Sequence, residues 1–257
     1  MEGEHNLARL IREGNLRYLP HLSLDCVIFG FHEGQLKVLL LKMKHKSDWS
    51  LPGGFVAHTE TLEQAADRVL NERTGLSGIF LKQFHVFSDL SRSDIPQTLS
   101  ELRRDGIEAK VGDWLAQRYI SVGFYALVSF SKVVPRADML SDACEWRDLS
   151  DVGKLILDHN QILGKALETM RLQLNYQPIG YNLLPPSFTM PELQRLYEAI
   201  LGKKLDRRNF QRRMLGFGIL RRLPERKAGG AHKAPYLYEF DHEAYKRALL
   251  EGLHGGW

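Results

Sequence analysis

Branched and aromatic apolar residues in the first half of the chain come in short runs broken by glycine, proline or charge. That is the pattern of strands joined by turns. Leu22–Phe31 (LSLDCVIFGF) and Leu36–Lys42 (LKVLLLK) are two such runs, separated by His32-Glu33-Gly34-Gln35, a hairpin-length connection. Trp49–Phe55 reads as a strand interrupted by Gly53 and Gly54. The period then changes from two to about 3.6. Leu62, Ala65, Ala66, Val69 and Leu70 form a helical stripe that starts at a capping box, Thr61 with Gln64, and stops at Gly75. Phe80–Phe87 and Tyr119–Phe130 are further strand candidates, and Glu145-Trp146 opens a last one. Between them Ser88–Gln117 is a long polar excursion, with a small helix expected near Pro96–Arg104 and no assigned role. Helical periodicity returns over Val152–Asn175, and the charged residues 1–20 read as an arm or short amphipathic helix rather than a signal peptide.

A break follows at 177–186 (QPIGYNLLPP), where proline and glycine interrupt any regular element. Beyond it, Thr189 and Glu192 form a second capping box, Pro191 sits in a first helical turn, and Leu193, Leu196, Tyr197 and Ile200 give the apolar face. Gly202 ends that helix. Asp206 caps another, RRNFQRRMLGFG, with Phe210, Met214 and Leu215 as its apolar members. Its other faces carry Arg207, Arg208, Asn209, Gln211, Arg212 and Arg213. Two short helices joined by a tight turn are the helix-turn-helix arrangement, whose second helix enters the DNA major groove. Arginine suits guanine edges and asparagine suits adenine edges. Ile219–Leu223 and Tyr236–Phe240 then read as strands flanking a basic loop, PERKAGGAHKAP. That loop would be a wing placing Arg226, Lys227, His232 and Lys233 near phosphates.

Charge supports this division. Residues 1–180 hold 21 Lys/Arg against 23 Asp/Glu, and residues 181–257 hold 14 against 8, so a nearly neutral part precedes a basic one. The chain of 257 residues, 44% apolar and 26% charged, has the composition of a soluble globular protein with room for two domains. No apolar run is long enough to span a membrane. Cys26 and Cys144 read as free thiols in a reducing, cytoplasmic setting, and no Cys/His spacing suggests a metal.

The segment Gly54–Leu76, GFVAHTETLEQAADRVLNERTGL, carries the sharpest signal. Gly54, Glu60, Arg68, Leu70, Gly75 and Leu76 fall in register with the 23-residue box of the Nudix hydrolases, and the segment resembles that box. The three acidic positions of its Arg-Glu-x-x-Glu-Glu run are here Val69, Glu72 and Arg73. They lie three and four apart, on one helical face, where three carboxylates would converge on a magnesium ion. Valine offers no oxygen and arginine brings a positive charge. With the ion's ligands lost, the metal-assisted attack of water on a diphosphate is lost too. No catalytic residue, metal or cofactor is therefore assigned.

A degenerate Nudix box followed by a basic winged helix resembles the Nudix-related transcriptional regulators, and the stretch from Pro178 to Leu220 is the most specific part of that resemblance. The resemblance implies an α+β chain, a Nudix α/β/α sandwich followed by a winged helix-turn-helix domain. The expected organisation is an arm over 1–20, an effector domain over 21–176, a linker over 177–186 and a DNA-binding domain over 187–257. It also implies a homodimer on double-stranded operator DNA and a small-molecule effector, with no membrane. Trp49, Gly53, Gly54, Glu60, Arg68 and Glu72 are the expected effector contacts. With the metal ligands gone, a sugar is preferred as effector and an ADP-ribose-like molecule comes second. Two other readings stay open: a Nudix hydrolase with a nucleic-acid-binding tail, and a ligand sensor whose tail binds RNA.

Overall fold

A computed structural model describes residues 2–44, 48–79, 81–104, 106–138, 140–227 and 234–253. The chain divides into two compact units. One comprises Met1–Phe29, Val38–Ala126 and Val133–Ala166, and the other Gly30–Lys37, Leu127–Lys132 and Leu167–Trp257.

The first unit is built on a seven-stranded sheet. Strands β1 (Tyr18–His32) and β2 (Gln35–Met43) form its long hairpin, and Glu33 and Gly34 at the tip both take positive φ, the requirement of a tight primed turn. β3 (Trp49–Ser50) adds to β2, while β4 (Gly53–Ala57) pairs antiparallel with β1. β5 (Leu81–Phe87) pairs with β6 (Ile120–Val128), β6 lies beside β1, and β7 (Ser141–Asp148) pairs with β2. Leu24, Val27, Ile28 and Phe29 on β1 and Val38, Leu39 and Leu40 on β2 are fully buried. Both faces of these strands are therefore covered, as a sheet between helical layers requires.

Helix α1 (Glu2–Arg17) precedes β1, so the expected arm is a helix running directly into the sheet. Helix α2 (Leu62–Thr74) is the box helix. Its capping box forms as expected, with Thr61 and Gln64 exchanging side-chain and backbone bonds, and Gly75 closes it at φ 73°. α2 buries Ala65, Ala66, Val69 and Leu70 and packs on β4 and β5.

The excursion Ser88–Gln117 is more than surface. It contains helix α3 (Ile95–Arg104), buries Trp114, and sends Arg92 into the unit. Arg92 bonds Asp158 at 2.8 and 2.9 Å and Asp25 at 3.0 Å. Its five N–H donors satisfy two buried carboxylates that would be costly alone. Asp25 also accepts from Ser121 at 2.6 Å, and the neighbouring His159 Nδ1 accepts from the Leu51 N–H at 2.9 Å.

Helix α4 (His159–Gln173) starts later than the periodicity of Val152–Asn175 predicts. Gly153 and Leu157 take left-handed φ values of 65° and 47°, and Asn160 Oδ1 accepts from the Leu155 N–H, so local side-chain bonding holds the preceding turn open.

In the second unit β8 (Phe188–Thr189) leads into α5 (Met190–Leu201), then α6 (Arg207–Gly216), β9 (Leu220–Arg226), β10 (Tyr236–Phe240) and α7 (His242–Glu251). The strands form one sheet in the order β8-β10-β9. Leu193, Leu196, Tyr197, Ile200, Phe210, Met214 and Ile219 make the core, and the Tyr197 and Phe210 rings meet edge-on at 5.5 Å. Leu215, expected with them, is 44% exposed. The stretch 177–186, expected as a linker, is packed: Ile179, Leu183 and Leu184 are buried and Tyr245 donates to the Pro178 carbonyl at 2.9 Å. Gly180 is needed there, because at φ 130° a Cβ would lie 2.9 Å from Leu196. No helix among the described residues is long and apolar enough to cross a membrane.

Candidate effector cavity and nucleic-acid interface

The box helix and β4 form one wall of a cavity of about 590 Å³ in the first unit, within the range of small-molecule sites. Of the expected effector contacts, Gly53, Gly54, Arg68 and Glu72 line it. Gly54 permits the close approach of β4 to α2, since a Cβ there would stand 2.9 Å from Val69 Cγ2. Gly53 lies equally close to the Leu24 carbonyl and Asp25.

Arg68 braces this wall. It donates to both oxygens of Glu60, at 2.7 and 3.1 Å, and to the Phe55 carbonyl at 2.8 Å. Glu60 in turn accepts from the Ala57 N–H at 2.7 Å. The bond from Arg68 holds the Glu60 carboxyl below the usual carboxylate range, and Glu60 raises the guanidinium's pKa in return. Glu60 itself does not line the cavity. Trp49 does not either: its ring lies under the Arg147 guanidinium at 4.2 Å, and its carbonyl accepts from the Ile156 N–H. Sequence spacing put Trp49 beside the glycines, but Trp49 lies on β3 beside β2 whereas the glycines lie on β4 beside β1, and the ring meets the Arg147 cation.

The metal face of α2 carries different chemistry. Val69 is buried at 1% exposure. Arg73 is also buried, at 9%, and its Nη2 lies 3.4 Å from Glu72 Oε2 and 3.4 Å from Asp138 Oδ2. Glu72 Oε1 accepts from Arg68 at 3.3 Å. Both oxygens of the remaining box carboxylate thus face guanidinium groups, and no cluster of three His, Cys, Asp or Glu side chains among the described residues could hold an ion. These residues do not fit the octahedral oxygen set of magnesium. Arg73 Nε is buried without a hydrogen-bond partner among the described residues. Such a donor carries a desolvation cost of about 1–3 kcal/mol.

Several lining groups were not legible from the box. The segment after β6 runs along the end of α2, with the Val134 and Arg136 N–H groups donating to the carbonyls of Thr74 and Arg73 at 3.0 Å. It brings Arg136 and Asp138 to the cavity. Helix α1 contributes Arg9, Glu13 and Arg17, and Tyr18 and Phe55 add aromatic surface. α1 is seated through Gly14, where a Cβ would meet the Trp114 ring at 2.3 Å. Five arginines against three acidic side chains leave the lining cationic. The two thiols take no part: both are free, burial pushes Cys144 up to about 11, and Cys26 is raised further.

In the second unit Asp206 caps α6 by accepting from the Asn209 N–H at 2.9 Å. This fixes the first turn of the helix, where Arg207, Arg208 and Asn209 are all exposed. Arg212 is exposed and donates to Asn209 at 3.1 Å, whereas Gln211 and Arg213 are half-buried. On the hairpin, Arg226 stacks on Tyr236 at 4.0 Å and donates to its hydroxyl at 2.6 Å. Lys227 forms an ion pair with Glu192, the acidic member of the α5 capping box. Burial pushes Glu192 up, but Lys227 and Thr189 outweigh it and the carboxyl lies below its ordinary range. His232 and Lys233 lie outside the described residues.

Residues 19–170 match the Nudix domain family and residues 180–240 match the NrtR DNA-binding winged helix domain. The chain is 31% identical to the ADPR responsive transcriptional repressor NtrR of Acinetobacter baylyi, over 88% of its own length and 84% of that protein's. It is 27% identical to an ADP-ribose pyrophosphatase of Methanocaldococcus jannaschii, over 63% of this chain and 84% of that one. Among solved structures, Shewanella oneidensis NrtR complexed with a 27mer DNA is similar at a TM-score of 0.70 and 27% identity, over 92% of this chain and 99% of the other. The chain belongs to the NrtR-like family, in which a Nudix domain precedes a C-terminal NrtR winged helix domain.

Proposed function

We propose that this chain is an ADP-ribose-responsive transcriptional repressor that binds operator DNA through its winged helix and does not hydrolyse its effector. The carrying observation is the cavity on the box helix: it keeps a ligand-sized space with cationic walls, and its metal face is occupied by Val69 and Arg73. A diphosphate flanked by ribose groups and a base suits such walls, with guanidinium groups for the phosphates and Tyr18 and Phe55 for the base. The names of two relatives, one ADPR responsive and one acting on ADP-ribose, favour the same ligand. The effector reading accordingly moves from a neutral sugar to ADP-ribose or a close analogue.

The DNA part of the reading rests on the exposed first turn of α6, where Arg207, Arg208 and Asn209 stand at the end that a helix-turn-helix directs to base edges. Within it, 21–176 is the effector domain and 187–257 the DNA-binding domain. The regulator acts in the cytoplasm as a homodimer, with half-sites about 34–36 Å apart or a multiple of that. The effector shifts DNA binding through its different affinities for the two arrangements of the dimer. A hydrolase would need an ion at Glu72, whose oxygens are both turned to arginines.

A thermal-shift panel of ADP-ribose, ADP, ribose and arabinose on the full chain tests the effector. ADP-ribose should raise the melting temperature most, since a ligand of the native state stabilises it by mass action. A larger shift from either pentose would return the reading to a sugar. Release of AMP from ADP-ribose at ordinary enzyme turnover would overturn the non-enzyme part.

A further inference from the structure

Arg73 differs from the other arginines of the cavity in how it is held. Arg68 is committed, with two bonds to Glu60 and one to the Phe55 carbonyl. Arg9 donates to Glu13 at 2.9 Å. Arg73 is nine-tenths buried at the cavity wall, yet one nitrogen, Nη2, is shared at 3.4 Å between Glu72 and Asp138, and its buried Nε has no partner among the described residues. Buried polar groups in folded proteins are nearly always satisfied, so Arg73 is an exception among the residues that line the cavity. Two long contacts from a single nitrogen also leave a guanidinium poorly matched, since its planar fork favours two parallel bonds to one anion.

We propose that Arg73 is the built-in cation of the effector site. It supplies, as a fixed part of the chain, the positive charge that a Nudix hydrolase recruits as a divalent ion, and it takes phosphate oxygens of the effector directly. Effector binding is therefore independent of metal. Asp138 is the resident competitor: it holds Arg73 when the site is empty and gives it up to the phosphate, while its other oxygen stays bonded to the Leu140 N–H at 2.9 Å and the Ser141 hydroxyl at 2.7 Å. Because Asp138 lies on the segment tied to the end of α2 through Val134 and Arg136, the exchange alters that segment first. The inference rests on the reading of this cavity as an ADP-ribose site.

The test is calorimetric titration of ADP-ribose into the full chain, once in EDTA and once in magnesium. The wild type should bind equally well in both, within about twofold. Arg73→Gln should weaken binding at least about tenfold, the loss of one charge-assisted contact, and Arg73→Lys should fall between. Asp138→Asn, which keeps the oxygen facing Leu140 and Ser141, should tighten binding about threefold or more by removing the competitor. This last variant decides the matter if Arg73→Gln does not fold. Binding that requires magnesium, or is unchanged in both Arg73→Gln and Asp138→Asn, overturns the role of Arg73 and leaves the effector reading intact. No binding of ADP-ribose under any condition overturns the effector reading and this inference with it.

Discussion

Helices α2 and α6 are both capped by a side-chain oxygen and both rich in arginine, yet the two sets of arginines have opposite fates. On α2, Arg68 and Arg73 point inward, are wholly or half-buried, and are bonded to Glu60, Glu72 and Asp138. On α6, Arg207, Arg208 and Arg212 are exposed, and Asp206 is engaged as the cap through the Asn209 N–H. The difference lies in what surrounds each helix. α2 packs against a sheet whose loops supply carboxylates and a cavity, so its guanidinium groups line that cavity. α6 buries Phe210 and Met214 and leaves Arg207, Arg208 and Arg212 on the surface. Residue type is the same; burial and pairing decide whether an arginine braces, binds a small ligand or meets a polyanion.

The largest effect on this contrast is expected from Arg68→Ala. It strands Glu60 and the Phe55 carbonyl, and should lower stability by about 2–3 kcal/mol, between the values for exposed and buried pairs. Urea denaturation measures this, and a loss below about 0.5 kcal/mol would mean that the brace is ornamental. Arg207→Ala or Arg208→Ala should leave stability within about 0.5 kcal/mol and weaken specific DNA binding by about 1–3 kcal/mol. Equal operator affinity in the double variant would remove α6 from the reading interface.

A third prediction concerns the buried core of the first unit. Burial is the main influence lowering the pKa of His159, with Arg92 adding to it and Asp25 and Asp158 opposing. The unfolded chain takes up that proton near pH 6.5, the folded chain only at lower pH. Its contribution is therefore complete above pH 6.5 and is lost as pH falls, at up to about 1.4 kcal/mol per pH unit until the folded value is reached. Urea midpoints at pH 7, 6 and 5 should decline accordingly, and His159→Asn should flatten the decline. The smallest effect is expected from Lys227→Ala. Read from sequence as a phosphate contact, Lys227 already pairs with Glu192. Its loss should lower the salt slope of DNA binding by clearly less than the about 0.9 expected of one phosphate contact.

Legibility in the sequence followed the range of the interactions. The starts of α2, α5 and α6 were readable from Thr61, Thr189 and Asp206, because a cap is satisfied within three residues. The replacement of two acidic box positions was readable from Val69 and Arg73, and helical spacing alone puts them on one face. The remaining cavity wall was not readable: Arg136 reaches α2 through a backbone bond and Asp138 through its side chain, each across more than sixty residues, and α1 is seated by Trp114 from the excursion. Trp49 went astray for the same reason, since no local signal links it to Arg147 turned back over its ring. The exposure of Leu215 breaks an apolar pattern that a helix of ten residues is too short to enforce.

The central claim is that one chain couples an intact, non-hydrolysing cavity to a DNA-binding helix. It is tested most directly by fluorescence anisotropy of the full chain on a duplex operator obtained by selection from random DNA, titrated with ADP-ribose in EDTA. ADP-ribose should weaken operator affinity by at least about tenfold, a coupling near 1.4 kcal/mol, and should be recovered uncleaved. An unchanged operator affinity at saturating ADP-ribose would contradict it.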